Sequence, residues 1–126
     1  MPKKQKLFFY LAPVAGGEVG VFSSQLIRQG TYLPLFARGD YHLYRHSTID
    51  NMPGGERFAR YCVKDSRGYH GPADFNCMSV GWYVEHSESP TARHRGDYEH
   101  YYALRDIQPG DQITFDHRTL DDPRYP

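Results

Sequence analysis

Glycine and proline divide this chain into short apolar runs, and this division is the strongest constraint on its fold. The 126 residues include 12 glycines and 9 prolines, and no segment carries the 3.6-residue apolar repeat of a long amphipathic helix. The runs between the turns are rich in tyrosine and phenylalanine, which favour β-strands. The sequence therefore predicts a mostly-β domain built from many short strands.

One turn pattern, Ile-x-x-Gly, occurs near both ends of the chain. Residues 27–30 precede a predicted strand at residues 31–37, and residues 107–110 precede a predicted strand at residues 112–117. The second strand alternates polar and apolar residues with a period of two. Pro34 interrupts the first strand and predicts that it lies at a sheet edge or contains a bulge.

The centre of the chain is less regular than its ends. Residues 40–46 fit a strand or a short helix, and residues 56–63 fit a helical turn or a strand. Residues 64–76 are rich in glycine, proline, serine and aspartate, and are predicted to be a loop. Further strands are expected at residues 7–11, 19–22 and 101–104, and an apolar run covers residues 77–84.

Length and charge limit the classes of protein. A chain of 126 residues is expected to form one domain, residues 1–126, with a core that needs no disulfide or metal. Lysine and arginine total 15, as do aspartate and glutamate, so net charge gives no reason to expect nucleic acid as a partner. No apolar run approaches the roughly 20 residues that span a bilayer, so no membrane partner is expected.

Cysteine and histidine usage indicates the compartment and argues against a metal site. Cys62 and Cys77 fit neither a zinc pattern nor a disulfide framework, and the start of the chain does not resemble a signal peptide. We therefore expect a reduced, cytoplasmic protein. The 7 histidines show no His-x-His or His-Glu-x-x-His spacing, so no metal site is predicted.

Three segments resemble the SET-domain protein lysine methyltransferases. Residues 85–91, EHSESPT, resemble the family's Asn-His-Ser-x-x-Pro-Asn segment, and residues 103–117, ALRDIQPGDQITFDH, resemble the motif that follows it. Residues 18–23, EVGVFS, resemble the family's Gly-x-Gly-Val-Phe-Ala segment. The resemblance covers nearly the whole chain, although residues 40–78 match only loosely.

The resemblance implies a fold and a function. The family's SET-like (β-clip) fold consists of several small curved sheets, with a C-terminal segment, here about residues 118–126, threaded through a surface loop. The implied activity is S-adenosylmethionine-dependent protein lysine N-methylation, with a lysine-containing protein or peptide as the partner. Small members of the family can pair, which makes a homodimer possible by analogy.

The resemblance also assigns site residues. Catalysis is expected at His117 and Tyr102, with His117 in the register of the family's final tyrosine. The residues expected to bind the cofactor are Gly20, Glu85, His86 and Tyr125, the last as a lid over the adenine. The aromatic residues expected to line the lysine channel are Trp82, Tyr101 and Phe115.

Four departures from the family pattern, at Glu18, Glu85, Thr91 and His117, leave alternatives open. Glu85 replaces an amide; a carboxylate only accepts hydrogen bonds, but it can face a sulfonium or an ammonium, or else be a surface charge. A histidine at position 117 can position or deprotonate an amine, although it is shorter than tyrosine. The rivals are a catalytically inactive SET-fold module that binds a peptide or protein partner, and an unrelated β domain.

Overall fold

A computed structural model describes residues 6–95 and 100–118, and in this part of the chain short strands dominate. In chain order the strands are β1 (Phe9–Pro13), β2 (Val19–Ser23), β3 (Tyr32–Leu33), β4 (His42–Tyr44), β5 (Val63–Lys64), β6 (Tyr69–Gly71), β7 (Glu85–His86), β8 (Ala92–His94), β9 (Tyr101–Ala103) and β10 (Gln112–Phe115). Two short α-helices, α1 (His46–Asn51) and α2 (Gly55–Ala59), lie between β4 and β5. Single 3₁₀ turns occur at Ala15–Gly17 and Val80–Tyr83.

The strands form three small sheets. The first has the order β1-β2-β10-β7, the second β3-β9-β8, and the third β4-β6-β5. In the first sheet β10 is antiparallel to β2 but parallel to β7, with Thr114 opposite Glu85 and Phe115 opposite His86. This pairing places the two segments with the strongest family resemblance side by side.

The two Ile-x-x-Gly turns contact each other. Ile27 donates its backbone N–H to the Ile107 carbonyl at 2.8 Å, and Ile107 donates to the Ile27 carbonyl at 2.7 Å. Gly30 and Gly110 close the turns with φ values of +85° and +87°, a region that glycine enters without a steric penalty. The repeated pattern in the sequence therefore corresponds to two similar turns that are hydrogen-bonded to each other.

The apolar core is built from the first two sheets and the Ile-x-x-Gly turns. Val21 and Ile113 have no exposed surface, and Tyr101 stacks on Phe115 with 4.1 Å between ring centroids. The buried cluster consists of Val21, Ile27, Leu33, Leu35, Val84, Ala92, Tyr101, Ala103, Ile107, Ile113 and Phe115. This cluster supports the strands that carry the candidate site.

The centre of the chain departs from the predicted loop at residues 64–76, because β6 lies within it. Gly71, one of the glycines in that segment, is buried, and a Cβ there would lie 2.6 Å from Cys62 Sγ. The glycine thus permits close packing in a strand. Strand β3 also covers only two residues of the predicted segment 31–37.

The architecture confirms the predicted mostly-β fold of several small sheets. The segment expected to thread through a loop continues beyond Arg118 and lies outside the described residues. Among residues 6–95 and 100–118, no helix has both the length and the apolar character needed to cross a bilayer.

Candidate active site

A cleft of about 340 Å³ opens beside β7. Its volume lies within the range of roughly 300–1,000 Å³ that is usual for small-molecule sites. Its charged lining residues include Glu18, Glu85 and Arg60, and the Arg60 guanidinium donates a hydrogen bond to the Glu18 carboxylate. The complete lining is Glu18, Val19, Arg60, Tyr61, Trp82, Tyr83, Val84, Glu85, His86 and His117.

A narrower cavity of about 60 Å³ lies next to the cleft and is mostly aromatic. Trp82, Tyr101 and Phe115, which the sequence assigned to a channel, all line it. Its complete lining is Phe36, Arg60, Tyr61, Cys62, Val63, Gly81, Trp82, Val84, Tyr101, Phe115 and His117. The structure therefore brings the three predicted channel residues together.

The cleft and the cavity share a wall. Five residues line both of them: Arg60, Tyr61, Trp82, Val84 and His117. A molecule in the cleft and a side chain in the cavity would therefore both contact His117.

His117 is held in place by its neighbours. Its backbone N–H donates to His86 Nδ1 at 3.0 Å, and the two rings lie 5.4 Å apart. Burial and the nearby His86 lower the pKa of His117 below its usual value, although a hydrogen bond with the Val84 backbone and the charge of Asp116 oppose this effect. The imidazole is therefore neutral at pH 7.

Glu85 is oriented by Gln112 on the neighbouring strand. Gln112 Nε2 donates to Glu85 Oε1 at 2.6 Å. A Cβ on Gly20 would lie 2.7 Å from that same Gln112 nitrogen and 2.9 Å from Val14 Cγ1. Gly20 is thus buried behind the cleft, where it leaves room for the Gln112 amide, and its neighbours Glu18 and Val19 line the cleft itself.

The aromatic wall of the cavity is a chain of ring contacts. Phe36 meets Trp82 edge-on at 5.1 Å and Tyr101 at 5.4 Å. The Trp82 indole N–H donates to Asp40 Oδ2 at 3.2 Å. These contacts set the width of the cavity, because each ring is fixed by the next.

Tyr102 lies away from His117. Successive side chains on a strand point to opposite faces, and Tyr101 of β9 points into the core. Tyr102 instead packs edge-on against Tyr32 at 5.7 Å and beneath Arg95 at 4.7 Å. The structure does not bring Tyr102 to the cavity, and Tyr125 lies outside the described residues.

Several lining residues were missed by the sequence analysis. Arg60 and Tyr61 follow α2 in the loosely matching centre, where no motif marked them. Phe36 belongs to the predicted strand at residues 31–37, and no motif marked it as a lining residue. Cys62 also lines the cavity, and burial raises the pKa of its thiol to about 11, so it is protonated at neutral pH.

No cluster of three or more histidine, cysteine, aspartate or glutamate side chains that could hold a metal occurs within the described ranges 6–95 and 100–118.

The three small sheets and the pairing of β7 with β10 agree with the fold expected from the motifs at residues 18–23, 85–91 and 103–117. The family model for the SET domain matches residues 18–118, and the chain belongs to the SET-domain family. The match includes the centre of the chain, where the sequence motifs were weakest.

A solved structure agrees with this assignment at the level of the fold. The chain is similar to a Plasmodium falciparum protein described as a "putative histone methyltransferase", with a TM-score of 0.54 and 18% identity. The alignment covers 89% of this chain and 93% of that one. No curated protein matches the sequence.

Proposed function

We propose that this protein is an S-adenosylmethionine-dependent protein lysine N-methyltransferase. The observation that carries the proposal is the wall shared by the cleft and the cavity, with His117 in both linings. Methyl transfer requires an amine to approach the methyl group in line, from the side opposite the leaving sulfur. Two openings that share a wall would let the amine and the cofactor enter from different sides.

The charges of the cleft fit the cofactor. S-adenosylmethionine carries a sulfonium, an ammonium and a carboxylate. The cleft offers two carboxylates, Glu18 and Glu85, and one guanidinium, Arg60. These charges are opposite in sign to those of the cofactor, which would have to compete with the Glu18–Arg60 ion pair. Tyr61, Trp82 and Tyr83 offer aromatic faces for the adenine or the sulfonium.

The narrow cavity fits a lysine side chain. Its rings, Phe36, Trp82, Tyr101 and Phe115, would enclose the aliphatic stem and exclude water from the reacting groups. Aromatic faces also attract an ammonium group. The cavity is small, about 60 Å³, and its aromatic lining suits the unbranched aliphatic stem of lysine.

His117 would act on the amine. A neutral imidazole has one donor and one acceptor nitrogen, and the hydrogen bond to the Val84 backbone leaves the other nitrogen as an acceptor. That nitrogen can take the proton from the lysine ammonium. S-adenosylmethionine, when bound in the cleft, would supply the methyl group to the amine lone pair that His117 has freed.

The alternative is a catalytically inactive SET-fold module that binds a peptide or protein partner. Two observations favour it. The Glu18–Arg60 ion pair already satisfies two of the charged groups lining the cleft, and a histidine replaces the family's final tyrosine. In this alternative the cavity would hold a partner's side chain without chemistry.

Calorimetry with S-adenosylmethionine and S-adenosylhomocysteine tests the proposal first. We expect saturable binding in the micromolar range, about 8 kcal/mol of binding free energy. Transfer of a labelled methyl group to a lysine-containing peptide library tests turnover. His117→Ala should retain cofactor binding and lose roughly 100-fold or more in kcat, the usual contribution of a general base.

Two variants serve as comparisons. His42→Ala changes an exposed histidine on β4 and should leave turnover unchanged. His117→Tyr restores the family residue: a fall in activity supports histidine as the working base, whereas a rise indicates a decayed site. Folded protein that binds neither compound would overturn the methyltransferase proposal and leave the partner-binding module.

A further inference from the structure

Three side chains of the third-sheet region form a hydrogen-bonded chain. Asp65 Oδ2 lies 2.8 Å from His70 Nε2, and His70 Nδ1 lies 2.7 Å from the Tyr41 hydroxyl oxygen. Asp65 follows β5, His70 is on β6, and Tyr41 precedes β4. None of the three lines the cleft or the cavity, so the methyltransferase proposal does not use them.

The direction of the hydrogen bonds in this chain follows from Asp65. Burial alone would raise the pKa of Asp65, but hydrogen bonds from Arg67 and His70 outweigh burial and hold the pKa well below its usual range. An ionised carboxylate only accepts, so His70 Nε2 carries the proton and donates it. In neutral His70, Nδ1 is then an acceptor, and the Tyr41 hydroxyl donates to it.

His70 is buried and Asp65 half-buried, and both are fixed by hydrogen bonds, whereas Tyr41 is partly exposed to solvent. His70 is 8% exposed, and Asp65 is fixed further by the backbone N–H groups of Arg67 at 2.8 Å and Gly68 at 3.3 Å. Tyr41 is 40% exposed. A carboxylate that orients a histidine, which in turn accepts from the hydroxyl of a partly exposed tyrosine, is the general arrangement of an activated nucleophile.

We propose that Tyr41 is a site of covalent modification by activated acyl groups, with His70 as its general base and Asp65 as the residue that positions His70. The phenol oxygen forms a bond to the acyl carbon as the bond from that carbon to the leaving group breaks. The phenolic proton passes to His70 Nδ1 and then to solvent, and the leaving group takes up a proton from water. The product is an aryl ester on Tyr41.

Acetylation by N-acetylimidazole, followed by peptide mass spectrometry, tests the proposal on the unmodified full chain. Tyr32 is a matched internal control, because it is 41% exposed and no hydrogen bond of its hydroxyl is seen among the described residues. Tyr41 should react at least about tenfold faster than Tyr32, a modest share of what a general base usually contributes. Equal rates would overturn the proposal without any mutation.

Two variants separate base catalysis from simple exposure. His70→Gln removes the base, and Asp65→Asn removes the charge that orients it; each should lower the Tyr41 rate toward that of Tyr32 while the Tyr32 rate stays constant. Circular dichroism and thermal melting establish that each variant is folded. If His70→Gln does not fold, the Asp65→Asn variant and the ratio of the Tyr41 to the Tyr32 acetylation rate in the wild type test the proposal. A folded variant that keeps the fast Tyr41 rate would contradict the proposal.

Discussion

The region that contains the apolar core and the region that contains the third sheet are stabilised in different ways. All members of the buried apolar cluster in the described chain come from residues 21–35 and 84–115. The third-sheet region, residues 41–76, buries fewer apolar side chains, among them Ile49 and Tyr69, and adds many hydrogen bonds between polar side chains. Its hydrogen bonds include Tyr41 to His70, His70 to Asp65, His46 to the Asp65 carbonyl, Tyr69 to Asp50 and Tyr44 to the Pro72 carbonyl.

This difference bears on the candidate site, because the site lies where the two regions meet. The apolar region supplies His117, Phe115 and Trp82, and the third-sheet region supplies Arg60 and Tyr61. Apolar burial is non-directional and large, whereas each hydrogen bond contributes a net of only about 0.5–1.5 kcal/mol. We therefore expect the Arg60 side of the site to open more easily than the His117 side.

The largest effect is expected in the apolar region. Ile113 has no exposed surface, and replacing it with alanine should lower the free energy of unfolding by about 2–5 kcal/mol through lost burial and the cavity left behind. Urea unfolding measures the change. Leu104→Ala is the control, because Leu104 is 42% exposed and a surface substitution changes stability by about 0.5 kcal/mol or less. Similar losses for both variants would contradict the assignment of the core.

The next largest effect concerns Asp65 and has a distinct pH dependence. Asp65→Asn should lower the free energy of unfolding at pH 7 by about 1.5–3 kcal/mol, the usual contribution of hydrogen bonds to a charged group. Because the folded-state pKa of Asp65 is depressed, its contribution is present above the unfolded-state pKa of about 3.9. The contribution is lost as the pH falls from that value through the lower folded-state pKa.

Urea unfolding of wild type and Asp65→Asn from pH 7 down to pH 2 measures this window. The difference in stability should be constant above about pH 5 and shrink below about pH 4. Glu56→Gln, an exposed change in the first turn of α2, controls for general acid effects. A difference that does not depend on pH would show that the Asp65 charge does not stabilise the third sheet.

The same contrast explains which parts of the fold were predictable. The strand before His117 could be predicted from the sequence because its buried residues, Ile113 and Phe115, recur with a period of two. The two Ile-x-x-Gly turns could be predicted because the same four-residue pattern occurs twice in the sequence. In the third-sheet region the stabilising partners lie far apart in sequence, such as Tyr41 and His70, and no periodic pattern marks such pairs.

The candidate site divides in the same way. Trp82, Tyr101, Phe115 and His117 could be assigned to one channel because the family resemblance places aromatic side chains of the final strands and the last motif residue around it, and the structure groups them. Arg60 reaches the cleft only because the chain following α2 passes beside it, which is a tertiary feature. Tyr102 is outside the lining of that cavity, because it lies on the opposite face of β9 from Tyr101, and the sequence pattern did not indicate which of the two rings points inward.

A third prediction concerns Asp40, which connects the two regions. Its carboxylate accepts from the Ala73 backbone on one side and from the Ser79 backbone, the Ser79 hydroxyl and the Trp82 indole on the other. Burial would raise the pKa of Asp40, but the Ser79 bonds outweigh it and lower the pKa. Asp40→Asn should cost about 1–2 kcal/mol of stability, since an amide replaces a charged acceptor.

Trp82 reports directly on this change, because it is the one tryptophan in the sequence. Its fluorescence maximum should shift in folded Asp40→Asn, and kcat should fall more than KM changes if the wall of the cavity is displaced. Asp74→Asn is the control, because Asp74 accepts from the nearby Asn76 backbone and has no contact with Trp82 in the described structure. An unchanged emission spectrum in Asp40→Asn would show that other contacts fix the indole.

The smallest effect on stability is expected at the two Ile-x-x-Gly turns, which lie away from the contact between the apolar region and the third-sheet region. Gly30 and Gly110 both have positive φ values, and a Cβ at either position meets nothing within 4 Å. Alanine at each site should therefore cost about 1 kcal/mol from backbone strain alone, and thermal unfolding should give similar losses for the two variants. A much larger loss of stability at Gly110 would mean that the turn before β10 also stabilises that strand, which leads to His117. The two turns would then be alike in geometry but would contribute differently to the free energy of unfolding.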